Sequence, residues 1–382
     1  MIKQYYKQAL AQLRQHPLIS IIGIVGTALS IFLIMLVVML QQVKVAPFSP
    51  ESNRNRFLHV HYMSISHKDW GNGTSNGPMS VQTAREVYKS LKTPEAVTVY
   101  CCMTVSTPVS LPGAPAIGAD VRETDDTFFH VFDFQFTDGK PYDEATFTAG
   151  RPVAVITESI SRALFGSIQS VGKEFLLSHA PYRVVGVVKD VSTLADMAYG
   201  QVWIPFTSTN LSNDTWSDNH MGMMSVTLLA HDREDFDEIR AEAKRRMNEY
   251  NSILADQGYT LIDRNRPYDQ ETQSISFAAN LEPDLKAARR ERVIIFIILL
   301  LVPAINLSSM TQSRLRQRVA EIGVRRAFGS TRIEMVGQIV MENLVITLLA
   351  GAIGLLISIL FAYWGTDIWL AQPYSVTLHG AT

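Results

Sequence analysis

Apolar residues are concentrated in three stretches of this chain, and these stretches predict its membrane-spanning elements. Residues 18–40 contain no charged side chain, and a helix of that length crosses a hydrocarbon core of about 30 Å. Residues 293–310 and 344–364 are similar in length and character. A secretory signal peptide is the alternative for the first stretch, but its apolar region is too long and no A-x-A cleavage site follows. We therefore predict three transmembrane helices.

Basic residues close to these spans predict their orientation, because short loops rich in Lys and Arg stay in the cytoplasm. Such residues precede the first span and lie between the second and third: Lys3, Lys7, Arg14, Arg314, Arg316, Arg318, Arg325, Arg326 and Arg332. The predicted order is a cytoplasmic interfacial amphipathic helix (1–17), a transmembrane helix (18–40), an extracytoplasmic domain (41–281), a stalk continuing into the second transmembrane helix (282–310), a cytoplasmic coupling segment (311–342), a third transmembrane helix (343–364) and an outward tail (365–382).

The extracytoplasmic region alternates strand and helix patterns. Strands are predicted at 57–62, 97–105, 152–156, 174–177 and 182–188. Helices are predicted at 81–91, capped by Ser80, and at 158–165, capped by Thr157. A longer amphipathic helix carries one apolar stripe: Phe236, Ile239, Ala243, Met247 and Tyr250. The fold class is therefore a membrane protein with α-helical transmembrane segments plus a large α+β extracytoplasmic domain on a helical stalk.

Motifs for catalysis, cofactors or metals are weak in this sequence. Residues 166–174, GSIQSVGKE, fail as a phosphate loop because five residues separate the glycines and Glu174 replaces the magnesium-binding hydroxyl. His59 and His61 have no further ligand at a diagnostic spacing and are interpreted as surface or interface histidines. The net charge is −2. We predict no catalytic residue, no metal, no cofactor and no nucleic-acid partner.

The coupling segment combines a charged helical stripe with two helix boundaries. Arg314, Arg318, Glu321 and Arg325 recur on one helical face. Gly329 predicts the end of that helix, and the capping box T-R-I-E from Thr331 predicts the start of the next. A helix followed by a tight turn and a second helix is an arrangement suited to docking against a partner protein. Asn306, Gly351 and Gly354 are predicted to pack transmembrane helices together.

These residues resemble the MacB-like, FtsX-domain permeases of ATP-binding-cassette (ABC) systems. EIGVRRAFGSTR (321–332) is similar to the family's coupling segment, and PVAVITESISRALFG, VGKEF and YRVVGVVKDV are similar to its periplasmic core domain. The resemblance implies that an ABC ATPase docks on this segment. The candidate contacts are Glu321, Ile322, Gly323, Arg325, Arg326 and Gly329.

The resemblance further implies a multi-pass protein of the inner membrane with a periplasmic domain. Its expected partners are a cytoplasmic ABC ATPase, a second permease copy or paralogue, the lipid bilayer and, in an export system, a membrane-fusion adaptor and an outer-membrane channel. The expected role is mechanotransmission, in which ATP hydrolysis by the partner moves the periplasmic domain and exports or releases a substrate. A regulatory complex of FtsX type, which activates an extracytoplasmic enzyme or sensor, is the alternative. The family has four transmembrane helices, so we expect a truncation after the third.

Overall fold

The computed structural model describes residues 17–317 and 319–362. The described residues form two compact units, one of residues 17–42 with 286–362 and the other of residues 43–285. Residues 1–16 of the predicted interfacial helix and the tail predicted at 365–382 lie outside the described residues.

The outer unit mixes short strands with helices, and the other unit is helical. In chain order the elements are α1 (Pro17–Val45), β1 (Phe57–Val60), β2 (Met63–His67), β3 (Thr74–Gly77), α2 (Val81–Thr83), β4 (Ala96–Cys101), β5 (Val105–Ser110), β6 (Ile117–Thr124), α3 (Phe128–Val131), β7 (Phe136–Gly139), α4 (Glu144–Thr148), β8 (Val153–Thr157), α5 (Glu158–Phe165), β9 (Glu174–Leu177), β10 (Ala180–Val188), β11 (Val202–Pro205), β12 (Met224–Leu229), α6 (Phe236–Leu254), β13 (Tyr259–Ile262), β14 (Tyr268–Asp269), α7 (Gln270–Gln273), α8 (Leu285–Gln317), α9 (Val319–Ala327) and α10 (Arg332–Leu360).

Three of the described helices, α1, α8 and α10, are long and apolar enough to cross a membrane. The second of them is longer than the predicted span. Helix α8 begins at Leu285 and continues past Met310 to Gln317, which gives a rod of about 50 Å at 1.5 Å per residue. The first residues of the coupling segment therefore continue the helix of the second span.

Six strands of the outer unit close into a β-barrel. The pairings run β6, β11, β8, β10, β9 and β5, and β5 pairs with β6 to complete the ring. The parallel pairing of β11 with β6 makes the closure and joins Val202 to Val121. Aliphatic and aromatic side chains from the strands fill the interior, among them Ile156, Phe175 and Val184. Closure removes the exposed strand edges that would otherwise pair with other chains.

Four further strands of the large sheet, β4, β12, β1 and β14, pair antiparallel beside the barrel, and β7 pairs antiparallel with barrel strand β10. Helix α6 packs on this sheet, and the predicted apolar stripe is confirmed because each of its members is buried: Phe236, Ile239, Ala243, Met247 and Tyr250. The small sheet β13, β2 and β3 adjoins the same core. The stripe is buried because a period of about four residues places it on one face of a helix.

Predicted helix starts are confirmed at two positions. The hydroxyl of Ser80 accepts a hydrogen bond from the N–H of Thr83, and that of Thr157 accepts one from Ile160. The helix predicted at 81–91 is only partly regular, because residues 84–89 form a π-helix.

The interpretation of His59 as a surface residue is wrong, since only 1% of it is exposed. No cluster of metal-ligating side chains occurs within the described residues.

Candidate coupling site

The coupling segment folds into α9, a tight turn and the start of α10. Helix α9 ends at Ala327, and Gly329 follows with φ +95°, a left-handed conformation that a side chain disfavours. Thr331 then caps α10. Its hydroxyl accepts a hydrogen bond from the N–H of Glu334, whose carboxylate accepts one from the N–H of Thr331. These local rules fix the turn without help from the rest of the fold.

The turn exposes two large apolar side chains. Phe328 is 89% exposed and Ile333 is 85% exposed, on either side of Gly329 and Thr331. Arg326 and Arg332 are also exposed. Large apolar residues with this exposure are typical of protein or membrane contact sites, and aromatic residues and arginine are the types enriched at binding hot spots. The turn therefore combines the two kinds of side chain that a docking surface uses.

The predicted docking residues lie on α9 and the turn, but the structure describes the side chains of only some of them. A Cβ atom added at Gly323 would contact nothing, so the backbone is open there. Ile322 is partly buried and Arg326 is exposed. The side chains of Glu321 and Arg325 lie outside what the structure describes, so the predicted stripe stays a prediction. Sequence reasoning missed Phe328 and Ile333, although apolar residues flanking a glycine stop in a basic segment were a usable signal.

Small residues bring α1 close to both other long helices. A Cβ atom added at Gly26 would lie 2.5 Å from the Asn306 amide, and one at Gly354 would lie 2.6 Å from the carbonyl oxygen of Ala28. The Asn306 amide is also 3.5 Å from the hydroxyl of Thr27. Gly351 is less crowded and faces Ile31. These are the close helix approaches that small residues allow in membranes. The sequence reading did not include Gly26, which a search for small residues in the first span would have found.

Inside the outer unit, a buried ion pair holds the segment that follows α1. The Arg54 Nε atom donates to Glu51 at 2.7 Å, and both side chains are almost fully buried. The same guanidinium donates to the carbonyl oxygens of Val43 at 2.6 Å, Ala46 at 3.0 Å and Leu194 at 2.9 Å. The last carbonyl groups of a helix lack partners within it, so Arg54 satisfies one such group, that of Val43, together with the carbonyl of Ala46 just after α1.

Glu51 completes this cluster by binding a loop distant in sequence. One of its oxygens accepts hydrogen bonds from the N–H groups of Met197 and Ala198, each at 2.9 Å. Burial raises the pKa of Glu51, although Arg54 and the N–H group of Ala198 oppose that effect. We call Glu51 and Arg54, with the backbone groups that they bind, the exit clamp. It joins the last turn of α1 to the loop at 194–198.

A second chain of hydrogen bonds starts beside the exit clamp. The side-chain amide of Gln270 donates to the carbonyl of Lys44 at 2.7 Å, and its oxygen lies 2.9 Å from His59 Nε2. The Nδ1 atom of His59 lies 3.0 Å from the Thr227 hydroxyl, which contacts the Tyr100 hydroxyl at 2.9 Å. Because Gln270 accepts at one side, we assign the proton to Nε2. Burial lowers the pKa of His59 to about 4, so the ring is neutral at pH 7.

Two protein-family models match this chain. The family model of the MacB-like periplasmic core domain matches residues 18–246. The chain belongs to this family. The model of the FtsX-like permease C-terminal region matches residues 293–379. The resemblance and the fold class predicted from the sequence are thereby confirmed, with an α+β extracytoplasmic domain and apolar helices near both ends of the chain.

Relatives of this MacB-like chain are ABC transporter permeases. It is 22% identical over 361 residues to the uncharacterized ABC transporter permease YknZ of Bacillus subtilis, across 91% of this chain and 83% of that protein. It is 24% identical over 244 residues to the macrolide export ATP-binding/permease protein MacB of Burkholderia cenocepacia, across 63% of this chain but only 33% of that protein. The chain thus spans about a third of the length of MacB.

Among solved structures, the periplasmic region of MacB from Actinobacillus actinomycetemcomitans matches 53% of this chain and 88% of that chain. The sequence identity is 19% and the TM-score is 0.37. No functional conclusion follows from a likeness of that size.

Proposed function

We propose that this chain is the permease subunit of an ABC-type transporter, non-catalytic itself, that couples ATP hydrolysis by a separate cytoplasmic subunit to movement of its outer domain. That movement would export or release a substrate. The exposed apolar and basic turn between α9 and α10 is the observation that carries this proposal. Exposed apolar side chains of this kind are typical of protein or membrane contact sites, and the basic residues beside them favour a protein partner with a complementary surface.

The proposed topology places this turn in the cytoplasm. Helices α1, α8 and α10 cross the inner membrane, residues 41–281 form the periplasmic domain and residues 311–342 form the coupling segment. The basic residues of the coupling segment favour this orientation, because Lys and Arg near short loops are retained inside. Arg316, Arg326 and Arg332 are exposed residues of this segment. A dimer of permease subunits with two ATPase subunits would be the working unit.

Docking would use Phe328 and Ile333 as anchors and the neighbouring arginines for electrostatic attraction. An apolar side chain inserted in a pocket of a partner contributes most of the binding energy, whereas charges at the rim mainly guide association. Glu321, Ile322, Gly323, Arg325, Arg326 and Gly329 remain the predicted neighbours of these anchors. Gly329 matters for a separate reason, since its positive φ sets the direction in which the anchors project.

The exit clamp supplies a means of transmitting movement within the outer unit. The last turn of α1 belongs to that unit, and Arg54 fixes its carbonyl groups to the loop at 194–198. A displacement of that turn would therefore act on the loop through short hydrogen bonds rather than through a flexible linker. This is the property that mechanotransmission requires.

Recovery of the cognate ATPase subunit with the purified permease tests the proposal. The double variant Phe328→Ser, Ile333→Ser should retain at most about a tenth of the ATPase, because losing hot-spot contacts worth 1.4 kcal/mol or more lowers affinity tenfold. Phe277→Ser is the matched control, since Phe277 is 83% exposed but lies in the outer unit. It should leave recovery unchanged.

Substitution of the charged stripe gives a second readout. Glu321→Gln with Arg325→Gln should reduce the substrate transport obtained per ATP hydrolysed while leaving expression normal. Equal ATPase recovery from the Phe328 and Ile333 variant and from wild type would contradict the docking site. Absence of any ATPase in material purified from native membranes would remove the proposed function as a whole.

A further inference from the structure

The β-barrel of the outer unit has a mouth at which one strand brings a carboxyl group to an inward-facing position. Alternate residues of a strand point to the same face, and Ala119 and Val121 of β6 are buried in the barrel interior. Glu123 is the next position of this inward series, close to the end of β6. The apolar lining of the barrel therefore ends at a carboxylate.

A cavity of about 400 Å³ opens at this position. Its walls are mostly apolar and include Val121, Leu177 and Ile204 from the barrel strands, with Met103 and Val105 at the rim. Met103 and Val105 are each about half exposed. Within the described residues, Glu123 is the only charged residue lining the cavity. Mouths of β-barrels and concave apolar walls with few polar groups are typical of small-molecule sites.

Glu123 lacks the cation that two other buried carboxyl groups of the outer unit have. Glu51 has Arg54 at 2.7 Å, and Asp125 has Lys89 at 2.8 Å. The described contacts of Glu123 contain no such ion pair, and its hydrogen bond comes from the hydroxyl of Thr209. A carboxylate removed from water is unfavourable without a compensating partner.

The titratable groups around Glu123 also supply no compensating positive charge. Burial raises the pKa of Glu123 to about 7, and the Thr209 hydroxyl only partly opposes that effect. The titratable groups that face it within the described residues are Cys101 on β4, Tyr182 on β10 and Tyr142. None of them carries a positive charge. A ligand that brings a cation would therefore supply the missing partner.

We propose that the mouth of the barrel binds a small amphipathic amine, with its ammonium group against Glu123 and its apolar body among Val121, Leu177 and Ile204. The unpaired carboxylate favours a ligand with a positively charged group, and the apolar walls favour a ligand with an apolar body. A neutral ligand of the same shape would gain only the apolar contacts. A carboxylate ligand would place two like charges together. The site does not depend on ATPase docking, so it goes beyond the function proposed above.

Three adamantane compounds test this selectivity because they share one rigid apolar body. The probes are 1-adamantanemethylamine, 1-adamantanemethanol and 1-adamantanecarboxylate, titrated on the full chain in lipid nanodiscs without nucleotide or ATPase. Hydrogen exchange of peptides covering β5, β6 and residues 202–211 reports occupancy of the mouth. The amine should protect these peptides at a concentration at least tenfold lower than the alcohol, and the carboxylate should be the weakest.

Two variants separate charge pairing from the apolar cavity. Glu123→Gln keeps the size of the side chain and an acceptor for Thr209, so it should remove the preference for amine over alcohol while alcohol binding is retained. Val105→Trp adds bulk at the exposed rim and should weaken both ligands. Glu174→Gln is the matched control, because Glu174 lies on barrel strand β9 but is exposed; it should leave both affinities unchanged.

The proposal is overturned if wild type binds the amine no better than the alcohol, or if Glu123→Gln keeps the preference. In either case Glu123 would be a side chain that accepts the Thr209 hydrogen bond at the barrel rim and has no ligand. Because the assay contains no ATPase, a negative result leaves the docking proposal intact. Failure of ATPase recovery would likewise leave this binding site intact.

Discussion

Removing the cation of the exit clamp should destabilise the outer domain far more than removing a surface cation. In Arg54→Met, Glu51 remains buried but loses its ion pair, and the carbonyl groups of Val43, Ala46 and Leu194 lose their donor. Breaking a buried ion pair from one side costs about 3–5 kcal/mol, mainly because the remaining charge is uncompensated. We expect a loss of that size in the free energy of unfolding.

The double variant Glu51→Gln, Arg54→Met should be less destabilised than the sum of the single changes. The glutamine oxygen still accepts hydrogen bonds from Met197 and Ala198, and no charge is left buried. The coupling between the two positions should be about 1–3 kcal/mol, as expected for residues in direct contact. Arg162→Met is the control. Arg162 pairs with Glu158 on an exposed helix face, so its loss should cost less than about 1 kcal/mol.

Urea unfolding of the detergent-solubilised chain measures these differences, with hydrogen exchange of peptides 43–56 and 191–199 as a local readout. The pH dependence adds a specific signature. Without Arg54, burial raises the pKa of Glu51 with no opposing cation, so the folded state binds more protons than the unfolded state above pH 4.5. The destabilisation of Arg54→Met should therefore grow from pH 5 to pH 8. A loss as small as that of Arg162→Met, or one independent of pH, would refute the reasoning.

Two further predictions follow from buried groups and close helix contacts. Burial lowers the pKa values of His59 and His61 to about 4, so the unfolded state binds more protons than the folded state between pH 6.5 and 4. Stability therefore falls as pH falls through this window, and at pH 5 the loss is about 2 kcal/mol per histidine. In a pH series of urea unfolding, the free energy of unfolding of His59→Gln should depend less steeply on pH than that of wild type. An unchanged slope would contradict the neutral assignment of His59. Gly354→Ala places a Cβ atom 2.6 Å from a backbone carbonyl of α1, so it should lower the thermal unfolding temperature in detergent. The control Gly337→Ala, which meets nothing within 4 Å, should raise that temperature slightly because alanine favours a helix; equal effects of the two substitutions would contradict the proposed close packing.

Much of the local structure follows from short-range rules that act within a few residues. Thr157 caps α5 and Thr331 caps α10, as the sequence patterns predict, because a hydroxyl before a helix can bind the free N–H groups of its first turn. The stripe on α6 is likewise buried as its spacing requires. Length and composition predict the three apolar helices, but they do not predict that α8 starts at Leu285 or that it continues to Gln317.

Only the tertiary structure decides which distant segments meet. The barrel closes when β6 pairs with β11, which joins Val121 to Val202, and no local pattern marks that partnership. The exit clamp links Arg54 to Leu194 across 140 residues, and Glu123 becomes an unpaired carboxylate only because the barrel surrounds it. Sequence periodicity records which face of an element is apolar. The choice of partner depends on packing summed over the whole domain, against the entropy of closing long loops.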